Sequence, residues 1–313
     1  MGGGGAVTLQ NIDKNVTQPS TLYLVATPIG NLEDMTFRAL KVLKEAALIA
    51  AEDTRHSLKL LTHFGIQPRK LISCFEHNEV KRVSEILQVL ESGGSVALIT
   101  DAGMPAISDP GYWVVKAVLE KGFKVSPVPG ASAPLAALAA SGFQATPFTF
   151  MGFLPPKAGD RRSALLQVRS EERTLVFFES PHRLRAALKD MLNVFGNRAC
   201  AAARELTKLH EEFVRGRLED LVRHFKDQEP MGEFVIIVEG AERLDRSTQE
   251  KWAGVSIESQ LSQFMAEGLS KTEAVKAVCK LRDLPRDVVY QIAVGLKTPA
   301  EDGGDSEGSD LLG

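Results

Sequence analysis

Ser95-Val-Ala-Leu-Ile-Thr-Asp-Ala-Gly-Met-Pro-Ala-Ile-Ser-Asp-Pro-Gly111 is the stretch on which the fold turns. Its first six residues are a continuous apolar run, the pattern of a strand covered on both faces, as in a parallel sheet. The rest is a long loop of small residues carrying two acids, Asp101 and Asp109. Upstream, Val80, Val83, Ile86, Leu87 and Leu90 fall on one helical face, and Gly93-Gly94 suits its stop. Downstream, Val114–Leu119 predicts a helix and Lys124–Val128 another strand. Towards the start, Thr21–Ala26, Ala47–Ala51 and Lys70–Phe75 predict strands, with a helix around Phe37, Leu40, Val42 and Leu43. Strands separated by helices imply a parallel sheet with right-handed crossovers.

The alternation restarts at Thr174–Phe178, continues through a helix near Leu184–Val194 and a strand at Cys200–Ala203, and ends at Phe234–Val238. The reading is therefore two α/β domains, 21–147 and 174–242, joined by a linker at 148–173 that is apolar at Phe148–Phe153 and charged, with a short helix, over Lys157–Arg173. A helical segment at 243–299 follows, where Ser270-Lys-Thr-Glu273 has the form of a capping box. Two of its helices could form a helix-turn-helix or a packing appendage. The Gly-rich start, 1–20, reads as a disordered leader, and 300–313 as an acidic disordered tail. At 313 residues the chain exceeds one ordinary core.

Charge does not announce a nucleic-acid binder: the net value is −3. Five acids after Ala300 account for the sign, since the chain without them carries +2. RNA binding would then need a local basic patch. No apolar run approaches the roughly 20 residues of a membrane span. Cys74, Cys200 and Cys279 lie far apart, so neither a zinc site nor a disulfide framework is expected.

Three strand-end loops are rich in Gly, Pro and small residues, and ligands of open parallel sheets bind beyond such ends. Ala26-Thr-Pro-Ile-Gly-Asn-Leu32 lacks both GxGxxG and GK[ST], which disfavours a dinucleotide-dependent dehydrogenase and excludes a Walker loop. It reads as a tight turn or a ligand loop. The Asp101 loop lets a ligand approach the backbone and offers carboxylates to hydroxyl or ammonium groups; alternatively Ser108 or Asp109 caps the next helix. Val128-Pro-Gly-Ala-Ser-Ala133 repeats the pattern, with Ser132 as a possible cap.

Leu22-Tyr-Leu-Val-Ala-Thr-Pro-Ile-Gly-Asn-Leu-Glu-Asp-Met-Thr36, the Asp101 loop and Pro129-Gly-Ala-Ser-Ala133 resemble the tetrapyrrole methylase superfamily. Within it, Ala51-Glu-Asp-Thr-Arg55, Phe177-Phe-Glu-Ser-Pro-His-Arg183 and Ala203-Arg-Glu-Leu-Thr-Lys-Leu-His-Glu-Glu212 resemble the ribosomal RNA small-subunit methyltransferase I branch. The resemblance implies a class III methyltransferase using S-adenosylmethionine to methylate the ribose 2′-oxygen of a decoding-region cytidine in 16S rRNA. It also implies a cofactor cleft between two domains, a homodimer, no metal and a bacterial-type cytoplasmic setting (or an organelle stroma or matrix, had a transit peptide been lost). By matching motifs, Pro28, Ile29, Asp101, Ala102, Gly103, Met104, Ala106, Gly130, Ala131, Ser132 and Ala133 would bind the cofactor, with Phe178, Glu179, Glu233 and Phe234 from the second domain. Many relatives have Gly-Asp-Pro in the second loop where this chain has Ala102-Gly103-Met104-Pro105.

Methyl transfer to a ribose hydroxyl demands alignment and help with the departing proton. Asp53, Glu179, His182 and Glu205 are candidate bases, and Arg55, Arg183, Arg204 and Lys208 candidate cations. Asp53, Arg55, Arg204, Glu205 and Lys208 are placed on the substrate side, with the base unassigned. Lys157, Arg161, Arg162 and Arg169 are the expected RNA contacts; the other reading is a solvated helix face. Aromatics are 6% of the chain, so recognition of a folded ribosomal surface fits better than stacking along a bare strand. A tetrapyrrole-type small-molecule C-methyltransferase and a non-catalytic ribosome-assembly binder remain as alternatives.

Overall fold

The computed structural model describes residues 17–242, 252, 254–282 and 284–296. Most of the expected leader and all of the expected acidic tail lie outside the described residues. The chain divides into two units, the first comprising residues up to Ala140 together with Arg204–Glu212, the second Ser141–Ala203 and Phe213 onward.

The first unit is built on five strands: β1 (Thr21–Val25), β2 (Leu48–Ala51), β3 (Leu71–Ser73), β4 (Val96–Ile99) and β5 (Lys124–Val128). They lie in the order β3-β2-β4-β1-β5, and every registered pair is parallel. All of β4 is buried, as its uninterrupted apolar sequence predicts. Helices α1 (Phe37–Glu45) and α2 (Thr54–His63) cover one face, where Val42, Leu43 and Leu61 pack on Val25, Ile49 and Ile99. Helices α3 (Glu79–Glu91) and α4 (Tyr112–Glu120) cover the other, where Ile86, Leu90, Val114 and Val118 pack on Leu22, Leu48 and Leu98. The two faces follow from direction. The chain steps outward through β1, β2 and β3, then reverses to insert β4 and cross to β5, and right-handed crossovers put the return helices on the opposite side. Helix α5 (Ala133–Ser141) follows β5.

The second unit carries β6 (Phe148–Phe153), β7 (Thr174–Glu179), β8 (Ala199–Arg204), β9 (Glu212–Arg217) and β10 (Phe234–Val238), ordered β6-β7-β10-β8-β9. Strand β6 runs parallel to β7, and β10 antiparallel to it. Helices α6 (Ala158–Gln167), α7 (Pro181–Phe195) and α8 (Leu218–Asp227) seal one face through Leu165, Leu184, Leu188, Leu221 and Phe225.

This corrects the linker at 148–173. Its apolar start, Phe148–Phe153, is the edge strand β6, and its charged part contains α6, anchored by buried Leu165. The short helix read within that charged part is α6, of which Arg161 and Leu165 are buried. Three helices close the described chain: α9 (Ile257–Ala266), α10 (Lys271–Arg282) and α11 (Arg286–Val294). Leu261, Val275, Val278, Val289 and Ala293 form their core. The Ser270–Glu273 capping box is present, with Glu273 accepting from Ser270 N at 3.0 Å and Ser270 Oγ accepting from Glu273 N at 3.4 Å.

Candidate active site

Strands β2, β4, β1 and β5 are neighbours, so their carboxyl ends bring four loops together. Backbone bonds stitch the loops after β1 and β4: Thr27 N donates to Gly103 O at 2.9 Å and Gly103 N to Thr27 O at 3.1 Å. Gly103 is where three loops meet, since a Cβ there would lie 3.5 Å from Ile29 Cγ2 and 3.7 Å from Ala131 O, and its φ of +84° suits glycine. A Cβ on Gly130 would sit 2.9 Å from Ala26 Cβ, so that loop too closes on the first through a missing side chain. Pro28, Ile29, Asp101, Ala102, Gly103, Met104, Ala106 and Gly130–Ala133 thus share one end of one sheet.

Carboxylates rim this end. Glu52, directly after β2, accepts from Thr100 Oγ1 and from Asp101 N. Asp101 in turn accepts from Asp53 N at 3.3 Å. Burial pushes the Asp101 carboxyl up, and the Glu52 charge adds to the effect. Asp53 caps α2 by accepting from Arg55 N at 2.8 Å, and the Arg55 side chain holds it with two more bonds at 3.1 and 2.7 Å. That pairing keeps Asp53 well below the usual carboxylate range, which makes it a poor proton acceptor. The helix cap and the ion pair are therefore both real for this residue.

Arg204–Glu212 reaches the same end of the first unit. Asn31 N donates to Thr207 Oγ1 at 3.0 Å, and a Cβ on Gly30 would lie 2.4 Å from Lys208 Cγ. Lys208 Nζ donates to Glu205 at 2.9 Å, while Arg204 lies 3.3 Å from Glu212. Glu205 and Thr207 have φ of +49° and +65°, and side-chain-bearing residues held there concentrate at functional positions.

Gly111, at the end of the Asp101 loop, occupies the N-cap position of α4 and as a glycine has no side chain to close the helix. Glu79 does so instead, from the start of α3: one of its oxygens accepts from Gly111 N, Trp113 N and Val114 N at 3.1, 2.7 and 3.1 Å. Neither Glu79 nor Glu52 was singled out from sequence. Glu52 was recoverable from its place directly after a buried strand; Glu79 was not, because its partners lie more than thirty positions away in another helix.

In the second unit, Glu179 is buried at the end of β7. One of its oxygens accepts from Ser180 N and Arg183 Nε, both at 2.8 Å, and the other has no partner among the described residues. Phe178 is half-buried against Phe150 and Phe153, and Glu233 is exposed. Phe234 lies in the core, 2% exposed, its ring 5.6 Å from that of Phe225. The expected RNA patch is corrected. Lys157 and Arg162 are exposed, but Arg161 and Arg169 are buried. Arg161 is drawn inward by Asp190 of α7, so the four do not form one solvated face.

The profile of the family described as Tetrapyrrole (Corrin/Porphyrin) Methylases matches residues 21–222. Among curated proteins, "Ribosomal RNA small subunit methyltransferase I" of Halalkalibacterium halodurans is 47% identical over 272 residues, covering 87% of this chain and 94% of the relative. The Synechocystis protein of that name is 44% identical, covering 88% of this chain and 98% of the relative. Among solved structures, diphthine synthase aligns with a TM-score of 0.54 at 17% identity, over 71% of this chain and 90% of that one. Cobalt precorrin-4 methyltransferase aligns with a TM-score of 0.51 at 18% identity, over 70% and 95%. The structural likenesses show the fold; the sequence relatives go further, and this chain belongs to the ribosomal RNA small subunit methyltransferase I family of tetrapyrrole methylases.

Proposed function

We propose that this protein methylates the ribose 2′-oxygen of a decoding-region cytidine in 16S rRNA. The observation that carries the reading is the meeting of strand-end loops at Gly103, rimmed by Asp101 and faced by the Glu205–Lys208 pair, in a chain 47% identical to a relative named for small-subunit rRNA methylation. S-adenosylmethionine, the methyl donor of this fold, supplies a methyl group on a positively charged sulfur. The residues fit it: glycines keep the loop backbones close, and Asp101 and Glu52 offer acceptors to ammonium or hydroxyl groups.

The chain's own part is alignment and charge. Ile29, Gly103 and Ala131 bring small and apolar groups together where the loops meet. Lys208 places a cation beside the first loop, where it lowers the cost of developing negative charge on a ribose oxygen. Asp53 is a poor proton acceptor, because the Arg55 pairing leaves it acidic, and the base on the substrate side stays unassigned. Lys157 and Arg162 supply exposed charge for the phosphate backbone. The functional unit in this reading is a homodimer, which sedimentation of the purified protein tests.

The test is to incubate the protein with labelled S-adenosylmethionine and small ribosomal subunits, naked 16S rRNA, or a tetrapyrrole, and to map 2′-O-methylation by primer extension. Label at a single decoding-region cytidine is expected. Label on the tetrapyrrole, or cofactor binding without transfer to RNA, would overturn the reading.

A further inference from the structure

We infer that Glu79 is a positioning residue for the cofactor loop, acting from outside the site through the first turn of α4. The inference rests on the reading that the Asp101–Gly111 loop binds S-adenosylmethionine.

The loop is fixed at both ends by buried or half-buried carboxylates. Glu52 holds its start through Thr100 Oγ1 and Asp101 N. Glu79, 4% exposed, holds its finish through three backbone N–H groups at Gly111, Trp113 and Val114. These groups belong to the first turn of α4, whose N–H donors have no partner within the helix. Between the two anchors the backbone adopts conformations that it does not hold unaided. Ala106 has φ of +64° and Gly111 of +140°. A Cβ on Gly111 would lie 2.9 Å from Ala106 Cβ and 3.0 Å from Leu98 Cδ2, so loop and helix start are pressed together over β4. Strain of this kind persists only where surrounding contacts over-determine it.

Glu79 supplies that over-determination. It also matches the positive end of α4 internally, so that helix end is not left to attract an anion, unlike a phosphate loop. Losing the carboxylate leaves three buried or half-buried donors unmatched, releases Gly111, and lets Gly103 and Asp101 drift from Ile29 and Ala131. The cost falls on cofactor affinity rather than on the transfer step.

The experiment compares Glu79→Leu, which keeps bulk without an acceptor, and Glu79→Gln, which keeps an acceptor without charge. S-adenosylmethionine binding is followed by calorimetry, rRNA methylation by kcat and KM, and folding by circular dichroism. Glu79→Leu is expected to weaken cofactor binding by about tenfold or more, and Glu79→Gln by about threefold, with kcat at saturating cofactor within about twofold of wild type. Folded variants that bind the cofactor within about twofold of wild type overturn the inference; if Glu79→Leu does not fold, Glu79→Gln decides alone by the same criterion. Gly103→Val separates this from failure of the underlying reading. If Gly103→Val binds S-adenosylmethionine normally, the loop is not the cofactor site and both ideas fall. If it loses binding while the Glu79 variants keep it, only the role of Glu79 falls.

Discussion

The Arg161 guanidinium donates two hydrogen bonds to a single carboxylate oxygen of Asp190, at 2.8 and 2.6 Å, with side chains 7% and 12% exposed. A third bond runs to Pro156 O at 3.1 Å. The pair ties α6 to α7. Removing one member of a buried pair strands the other, at a cost of about 3–5 kcal/mol. Arg161→Ala is therefore expected to lower unfolding free energy by that order in urea titration. Arg161→Met combined with Asp190→Leu should recover most of the loss. An Arg161→Ala protein as stable as wild type would contradict the pairing.

The neighbouring exposed charges should behave differently. Lys157→Glu with Arg162→Glu leaves no buried partner behind, so stability should change by no more than about 0.5 kcal/mol. Methylation of ribosomal subunits should fall and its salt dependence should flatten, with calorimetric cofactor affinity intact. Unchanged methylation would remove this patch from the RNA-binding surface.

Asp101 carries a stability cost that the site needs. Its carboxyl is raised by burial and by Glu52, so the native state holds this proton to higher pH than the unfolded chain does. That contribution favours folding below the ordinary aspartate range and is lost as pH rises through the raised value. At neutral pH the ionised group opposes folding. Asp101→Asn, which can still accept from Asp53 N, should melt at a higher temperature than wild type near pH 7, and the difference should shrink towards about pH 4. The same variant should bind S-adenosylmethionine more weakly. A variant less stable than wild type at neutral pH would show that the carboxylate is instead stabilised there.

Lys208 and Asp53 should separate in kinetics. Lys208→Met is expected to reduce kcat for rRNA methylation by about a hundredfold or more with little change in cofactor affinity. Asp53→Asn should keep most of the rate, because a carboxylate held so acidic by Arg55 contributes little as a base. An equal loss in Asp53→Asn would return Asp53 to the role of proton acceptor.

The cysteines offer a separate check. Burial pushes the Cys74 and Cys200 thiols up to about 12, while Cys279 is less buried. A thiol reagent near neutral pH should titrate Cys279 first, and the other two only on unfolding. Fast modification of Cys200 in folded protein would contradict its place in the core.

The first unit was legible because its strands are short, mostly apolar runs set between helices: Lys124–Val128 was read at its observed boundaries, and Ser95–Thr100 lies within one residue of β4 at each end. The second was legible only where that held. Strand β9, Glu-Phe-Val-Arg-Gly-Arg217, is an edge strand with charged residues and escaped notice. The loops of the site could be read because Gly, Pro and small residues mark close backbone approach. Glu79 and Asp190 could not, since a buried carboxylate is identified by partners far away in sequence. Arg161 looked like a surface charge for the same reason.

Asn31 N is bonded to Thr207 Oγ1, 176 positions later. At roughly 5–20 residues per second of synthesis, the strand-end loop around Gly30 waits about ten to thirty seconds for the segment that packs on it. The five-strand sheet can form while the second unit is still being translated. Arg204–Glu212 joins it only afterwards, so an emerging chain completes its sheet before the segment that closes over this loop.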